Sequence, residues 1–353
     1  MNKYTYVRGK GQSYDHPSHA RRFPRYASRA ALKYNDYLSD KIVGDICVLS
    51  LSADITLWRR KKANGNCKII FDANDPFLLA DYSSIKDYLR GSFKFFSRRH
   101  QFLEFDYKKS YLRICEAADS VVVGHHAQYQ LLKDISDNVS LISDYGLVSP
   151  TVQKTEFGLS DKKTVNIFWE GLGSSFMPFR LIEEIFQTIN SEYDFIFHFV
   201  TDLSFFRYGD IFYKVNIQDI AKRAAPSMYK QFRFYQWSEY MMNKIAVACD
   251  FGIIPLPDDG SMNYWKPENK LIQMWRMSLP TITSSIPSYV MAFKDAKHKL
   301  CASDLSEWRD FILGLSESRT TRKKFGLLGK YQADKFYSDE IIDDLWKKNL
   351  GML

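Results

Sequence analysis

The chain has 353 residues, 45% of them hydrophobic and 25% charged, with an unusually high 16% aromatic share and a formal net charge of +8. That length allows two ordinary domains and that composition is globular, while the longest apolar runs, such as Ile253 to Leu256, are too short to span a bilayer. The positive balance favours an anionic partner, whether nucleic acid, a phospholipid surface or a phosphorylated small molecule, and does not choose among them.

The opening text, MNKYTYVRGKGQSYDH, lacks the apolar core of a signal peptide, so a cytosolic location is expected. Cys47, Cys67, Cys115, Cys249 and Cys301 are far apart and odd in number. None shows metal-ligand spacing, so they read as reduced, mostly buried thiols and not as zinc ligands.

Strand and helix patterns alternate from end to end, which predicts α/β layering with parallel sheets. YTYVRGKG reads as a short strand with a glycine turn, ASRAALKYNDYLSD as helix and DICVLSLS as a buried strand. DITLWRRKKANG is a helix closed by Gly65, and CKIIFDAND a strand with acids at its carboxyl end. A long helical region is expected from about Ser83 to Ala118. Strand DSVVVGHH, helix AQYQLLKDI and strand VSLISDYG then complete a first doubly wound, Rossmann-like unit over residues 1–150. The turn-rich text LVSPTVQKTEFGLSDKK is a linker.

The pattern restarts with strand TVNIFWEG, loop LGSS, helix MPFRLIEEIFQTI and strand DFIFHFVTD. FRFYQW, helix SEYMMNKIAVACD, strand FGIIPL, a helix opened by KPENK and strand PTITSS follow. This second doubly wound unit covers 151–334, and 335–353 closes the chain within a charged helical stretch that begins at Glu307. Two such units in tandem would face their strand carboxyl ends across a shared cleft. Ligands of open α/β sheets bind at that edge, so the residues just after strands are the candidates.

Gly171, Gly173, Ser174 and Ser175 lie between a strand and a helix, where small residues let backbone approach a ligand and a helix start offers N–H groups to phosphate. No GK[ST] or GxGxxG pattern is present, so the competing reading is a plain tight turn. Lys266, Glu268, Asn269 and Lys270 stand at a second helix mouth after a strand. Together the two loops suit a diphosphate, with Glu268 accepting from ribose hydroxyls or simply complementing the helix dipole. In the first unit the strand-end groups are Arg8, Gly9 and Lys10; Asp72 and Asp75; and His125 and His126. Asp72, Asp75 or His125 could serve as a base toward a hydroxyl; an Asx turn and helix capping are the plainer readings. Asp258, Asp259 and Gly260 read as a turn.

The order of these blocks resembles bacterial glycosyltransferases of the GT-B fold, specifically the large retaining glycosyltransferase family 4 and its relatives. RGKG with HARRFPRYASRAALK is similar to the family's opening loop and first helix. KIIFDANDPF and CEAADSVVVGHHAQYQLLKD resemble its strand ends in the first domain. NIFWEGLGSS, FYQWSEYMMNKIAVACDFGIIPLPDD and KPENKLIQMWRMSLPTITSSIPSY resemble its donor-domain blocks. FGLLGKYQADKFYSDEIIDDLW is like its closing helices, which in the family cross back to the first domain.

The resemblance implies transfer of a sugar from a nucleotide-sugar to an acceptor hydroxyl, with no cofactor and no bound metal. The donor diphosphate would lie against Gly171, Gly173, Ser174, Lys266, Asn269 and Lys270, and the base near Trp237, Pro255 and Pro257. Arg8, Gly9, Lys10 and His126 would fall on the acceptor side. The chain departs from the family pattern at Arg276, where a second Glu is usual eight residues after Glu268, and at His125, where Ser is common.

YLRGSFKFFSRRHQFLEFDYKKSYLR, from Tyr88 to Arg113, interleaves aromatics with Arg and Lys, as a helix at an anionic leaflet would; the plainer reading is a core-packed amphipathic helix. The expectation is a cytoplasmic enzyme peripheral to the inner membrane, acting on a glycan or lipid-linked acceptor in bacterial surface polysaccharide synthesis. The competing classes are a nucleotide-sugar epimerase of the same fold and a basic nucleic-acid-binding protein. No RNP, KH or zinc-finger text supports the latter.

Overall fold

The computed structural model describes residues 3–9, 17–37, 44–65, 67–79, 84–146, 152–158, 163–172, 179–189, 193–206, 214–257, 263–293 and 299–352. The chain divides into two compact units, one of Met1–Gly146, Gly260–Pro267 and Ser338–Leu353, the other of Leu147–Asp259 and Glu268–Tyr337.

In the first unit six parallel strands form a sheet: β1 (Tyr4–Val7), β2 (Tyr34–Tyr37), β3 (Ile46–Leu49), β4 (Lys68–Ala73), β5 (Ser120–Val123) and β6 (Val139–Leu141). Their spatial order is β2-β1-β3-β4-β5-β6, so the winding reverses between β1 and β3. β1, β3 and β5 are buried along their whole length. Their sequences run apolar without alternation because helices cover both faces of a parallel sheet.

One face packs Trp58, Phe71, Phe77 and Tyr111 under α3 (Ile55–Ala63) and α5 (Tyr107–Ala117). The other packs Tyr6, Phe23 and Tyr26 of α2 (Phe23–Arg29) with Trp346 of the last helix, α14 (Asp339–Asn349). The Trp346 ring stacks on Tyr26 at 6.1 Å, and Asn349 Nδ2 donates to Ser120 Oγ at 2.6 Å.

Two elements differ from the sequence reading. The helix expected over ASRAALKYNDYLSD ends at Arg29, and Ala31 takes a left-handed φ of 50° that turns the chain into the edge strand β2. The expected 83–118 helix is two helices, α4 (Ser84–Phe96) and α5. Left-handed Arg98 (φ 56°) ends the first turn-out, and the Asp106 carboxylate starts α5 by accepting from Lys109 N at 2.9 Å. Asp54, the N-cap of α3, holds the connection by accepting from Gln101 N at 2.6 Å.

The second unit contains β7 (Thr164–Glu170), β8 (Asp194–Thr201), β11 (Phe232–Gln236), β12 (Phe251–Ile254), β13 (Thr281–Ser284) and β14 (Cys301–Ala302). All pair in parallel, in the order β11-β8-β7-β12-β13-β14, with the reversal between β7 and β12. An antiparallel pair, β9 (Ser204–Phe206) and β10 (Lys214–Asn216), was not legible in the sequence. The helices are α7 (Phe179–Gln187), α8 (Ile217–Ala224), α9 (Glu239–Ala248), α10 (Asn269–Arg276), α11 (Pro287–Ala292), α12 (Leu305–Glu317) and α13 (Arg319–Phe336).

Two buried cations finish helix ends in this unit, where carbonyls lack intrahelical partners. Lys154 Nζ donates to Val247 O (2.9 Å) and Cys249 O (2.7 Å) behind α9, and Arg322 Nη1 donates to Leu315 O (2.6 Å) in α12.

Candidate functional site

In the second unit three of the residues singled out from the sequence, Gly171, Trp237 and Lys270, meet at the carboxyl end of β7, beside the reversal of winding. Lys270, in the first turn of α10, donates from Nζ to the carbonyl of Glu170 at 2.9 Å, with Nζ 5.2 Å from the centre of the Trp169 ring. A Cβ on Gly171 would lie 2.6 Å from that amine and 2.6 Å from the indole. Only a residue without a side chain leaves the amine its place.

Trp237, at the end of β11, donates from Nε1 to Glu170 Oε1 at 3.0 Å, so the indole and the lysine are tied to one strand end. Glu170, the residue joining them, was not selected from the sequence. Its signal was only its place as the last residue of a strand.

Glu268 is the N-cap residue of α10 but makes no side-chain cap. Its carboxylate instead takes the Tyr337 hydroxyl, and burial together with that negative charge raises the Tyr337 pKa. Buried Tyr289 is likewise raised, by burial first and then by the charges of Glu268 and Glu170. Arg276 donates to the Tyr337 carbonyl, which gives the residue standing in the usual Glu position a role in the helix connection. Asn269 opens α10 beside these groups. Gly173, Ser174 and Ser175 lie outside the described residues, as do Lys10 and Asp258 to Gly260.

In the first unit Asp72 is buried and bound by Arg22, whose Nη2 donates to Oδ1 at 2.6 Å and Nε to Oδ2 at 3.0 Å. Arg22 also donates to Ile142 O (2.7 Å) and Asp144 Oδ1 (3.0 Å), tying the start of α2 to β4 and the end of β6. The two carboxylates keep the buried guanidinium charged, raising its pKa despite desolvation. For Asp144 burial outweighs Arg22, and its pKa rises. Both of its oxygens are taken by Arg22, so Asp72 anchors the start of α2 where the sequence suggested a base.

Asp75 is different. It keeps exposed surface and makes no hydrogen bond or ion pair through its side chain among the described residues. Its pKa is raised by the crowding of surrounding protein and by Asp144, against the pull of Lys266, Arg90 and Arg22. Lys266 is thus one of the cations acting on Asp75.

His125 caps α6 (His126–Leu132), its Nδ1 accepting from Ala127 N at 3.1 Å. Burial, with a lesser push from His126, lowers its pKa to about 4, so the ring is neutral near pH 7. With Nδ1 an acceptor, the proton is on Nε2, a buried donor without a partner among the described residues. Trp265 meets the ring edge-on at 6.1 Å. A ring so fixed is a hydrogen-bond donor and not a base, which corrects that expectation also. His126 packs on Tyr129.

At the end of β1, Arg8 pairs with Asp36 of β2 through Nη2 and Oδ2 at 2.6 Å. Gly9 N donates to Ser52 Oγ at 2.9 Å, and a Cβ there would be 2.2 Å from the Ser52 carbonyl oxygen. Arg8 and Gly9 therefore have local structural reasons for being what they are.

No protein-family model and no curated protein sequence matches the chain. Solved structures do. HepE of Anabaena, crystallised with UDP and glucose, superposes with a TM-score of 0.63 over 100% of both chains at 9% identity. WaaG, a glycosyltransferase involved in lipopolysaccharide biosynthesis, gives 0.56 over 99% of this chain and 100% of its own at 11%. TarM gives 0.56 at 13% identity over 86% of this chain, which spans 54% of TarM. With its two six-stranded parallel sheets, the chain has the GT-B fold.

Proposed function

We propose that the protein is a metal-independent glycosyltransferase that moves a sugar from a nucleotide-sugar to an acceptor hydroxyl. The observation that carries this is the knot of Gly171, Glu170, Trp237 and Lys270 at the β7–β12 reversal, where an open α/β sheet binds its ligand. Lys270 and the N–H groups of α10 supply positive charge for a departing diphosphate, which makes a bound cation unnecessary. Glu268 and Asn269 stand beside them for the nucleoside and sugar hydroxyls.

In the first unit Asp75, poised by crowding toward a higher pKa, takes the acceptor proton, and His125 Nε2–H donates to a sugar oxygen. HepE binds UDP and glucose, and UDP-sugars are the first donors to try. The acceptor in this reading is a glycan or lipid-linked glycan of a bacterial surface polysaccharide, reached from the inner face of the membrane.

A panel of UDP, GDP, CMP, dTDP and ADP, each with and without divalent metal, tests it by thermal shift. A nucleotide at about 100 times its dissociation constant adds about 2.7 kcal/mol to stability. One nucleotide standing out without metal supports the donor site. No shift with any, and a shift with a short oligonucleotide, would replace the reading by nucleic-acid binding. Binding followed by interconversion of the sugar without an acceptor would replace it by an epimerase.

A further inference from the structure

Most of the large apolar side chains in the first unit are buried, but one stretch leaves a cluster in solvent. On α4, Leu89, Phe93 and Phe96 are 61%, 49% and 77% exposed, and after the helix Phe105 is 58% exposed. Positions 89, 93 and 96 recur at the helical spacing that puts them on one face. Gly91 is on the opposite face, where its missing side chain lets α4 lie against the chain at 104: a Cβ would be 1.8 Å from the Glu104 carbonyl oxygen. The helix is thus seated by one side and presents the other.

The seat is firm. Asp54 and Thr56 of α3 accept from Gln101 N and Phe102 N at 2.6 and 3.2 Å, and Arg59 pairs with Glu104 at 2.7 Å. The aromatics are therefore held out by fixed backbone. Their surroundings are cationic: residues 89–113 contain seven Lys and Arg, of which Lys94 is turned in on Tyr107, against two acids, Glu104 and Asp106, and Glu104 is already paired. Arg98 and Arg99 are exposed at the end of the stripe, Arg99 lying 6.0 Å from the Phe93 ring centre, and Arg60 of α3 covers Phe102 at 3.6 Å.

We infer that this face, Leu89, Phe93 and Phe96 with the arginines around them, docks the protein on an anionic phospholipid surface. Exposed aromatics enter the boundary between headgroups and acyl chains while cations at their rim meet the phosphates. A second copy of the chain would bring two cationic faces together, so charge selects the lipid. The inference deepens the membrane location in the reading above and does not depend on glycosyl transfer.

The test is sedimentation of the full chain with vesicles of phosphatidylcholine alone or mixed with phosphatidylglycerol, for the wild type, Phe93→Ser/Phe96→Ser and Arg98→Glu/Arg99→Glu. The wild type should partition at least tenfold better onto the mixed vesicles, and each double variant should lose roughly tenfold or more. All four residues are exposed, so unchanged melting temperatures will show that the variants fold. Equal binding to both vesicles, or variants that bind like the wild type, would overturn the inference. So would concentration-dependent dimers that the phenylalanine substitutions abolish. Vesicle binding without any nucleotide shift would leave docking standing and remove glycosyl transfer alone.

Discussion

The amine of Lys270 occupies the space that Gly171 leaves empty, hydrogen-bonded to the carbonyl of the residue just before that glycine. Gly171→Ala would force the amine or the Trp169 ring to move. We expect Lys270→Ala to lower nucleotide affinity tenfold or more while the melting temperature of the unliganded protein changes little, and Gly171→Ala, which also crowds the buried Trp169 ring, to lower both. Titration of the thermal shift against UDP checks this. Equal loss of stability and affinity in Lys270→Ala would make the lysine a structural brace.

Asp72→Asn removes one charge from a buried pair and leaves Arg22 with Asp144 alone. Breaking such a pair from one side destabilises by about 3–5 kcal/mol, read as a lowered urea midpoint. A loss below about 1 kcal/mol would show that the carboxylate is not needed by Arg22 and would return Asp72 to the list of reacting groups. Asp75→Asn, at an exposed side chain, should leave the midpoint in place and lower turnover at least a hundredfold.

His100 is buried with both ring nitrogens lacking a hydrogen-bond partner among the described residues, and its ring stacks on Tyr107 at 5.8 Å. Burial and then the charge of Lys94 lower its pKa from 6.5 to about 4, with Asp54 opposing. Between those values the unfolded chain binds a proton that the folded chain does not, so stability falls as pH drops through the window. His100→Phe should raise stability by about 1 kcal/mol at pH 7 and flatten part of that slope; His125, shifted the same way, retains the rest. A steeper slope in the variant would contradict this.

Trp346→Ala would open the core shared by Tyr26 and Phe23, at a loss of about 3–5 kcal/mol. Trp346 belongs to the first unit and Lys270 to the second. The variant should therefore lower the unfolding midpoint of the first unit while the nucleotide-induced shift remains.

The fold was legible because parallel strands buried on both faces read as apolar runs, as in DICVLSLS and FGIIPL, and because βα turns marked their ends. The edge strand β2 was not, since YNDY is only partly buried and its chief polar tie, Arg8 to Asp36, joins residues 28 apart in sequence. The break at 97–106 was hidden because its stabilising acceptors, Asp54 and Thr56, lie on another helix. Of the residues gathered at the end of β7, Gly171 was singled out from its strand-end position, Lys270 from its place at a helix mouth and Trp237 through the family resemblance. Glu170 joins them through one backbone and one side-chain oxygen, a combination that no residue pattern announces. Asp72 looked reactive because sequence displays an acid at a strand end without displaying the arginine, 50 residues earlier, that holds it.

The last helix, α14, supplies Trp346 to a core whose other members begin at Tyr4. While the chain is being made, the first strand must wait for that tryptophan, which at about 5–20 residues per second is a delay of roughly 17 to 70 seconds. The second unit contains nothing beyond Tyr337 and can close earlier. Synthesis thus reverses the usual order: the part begun first is finished last.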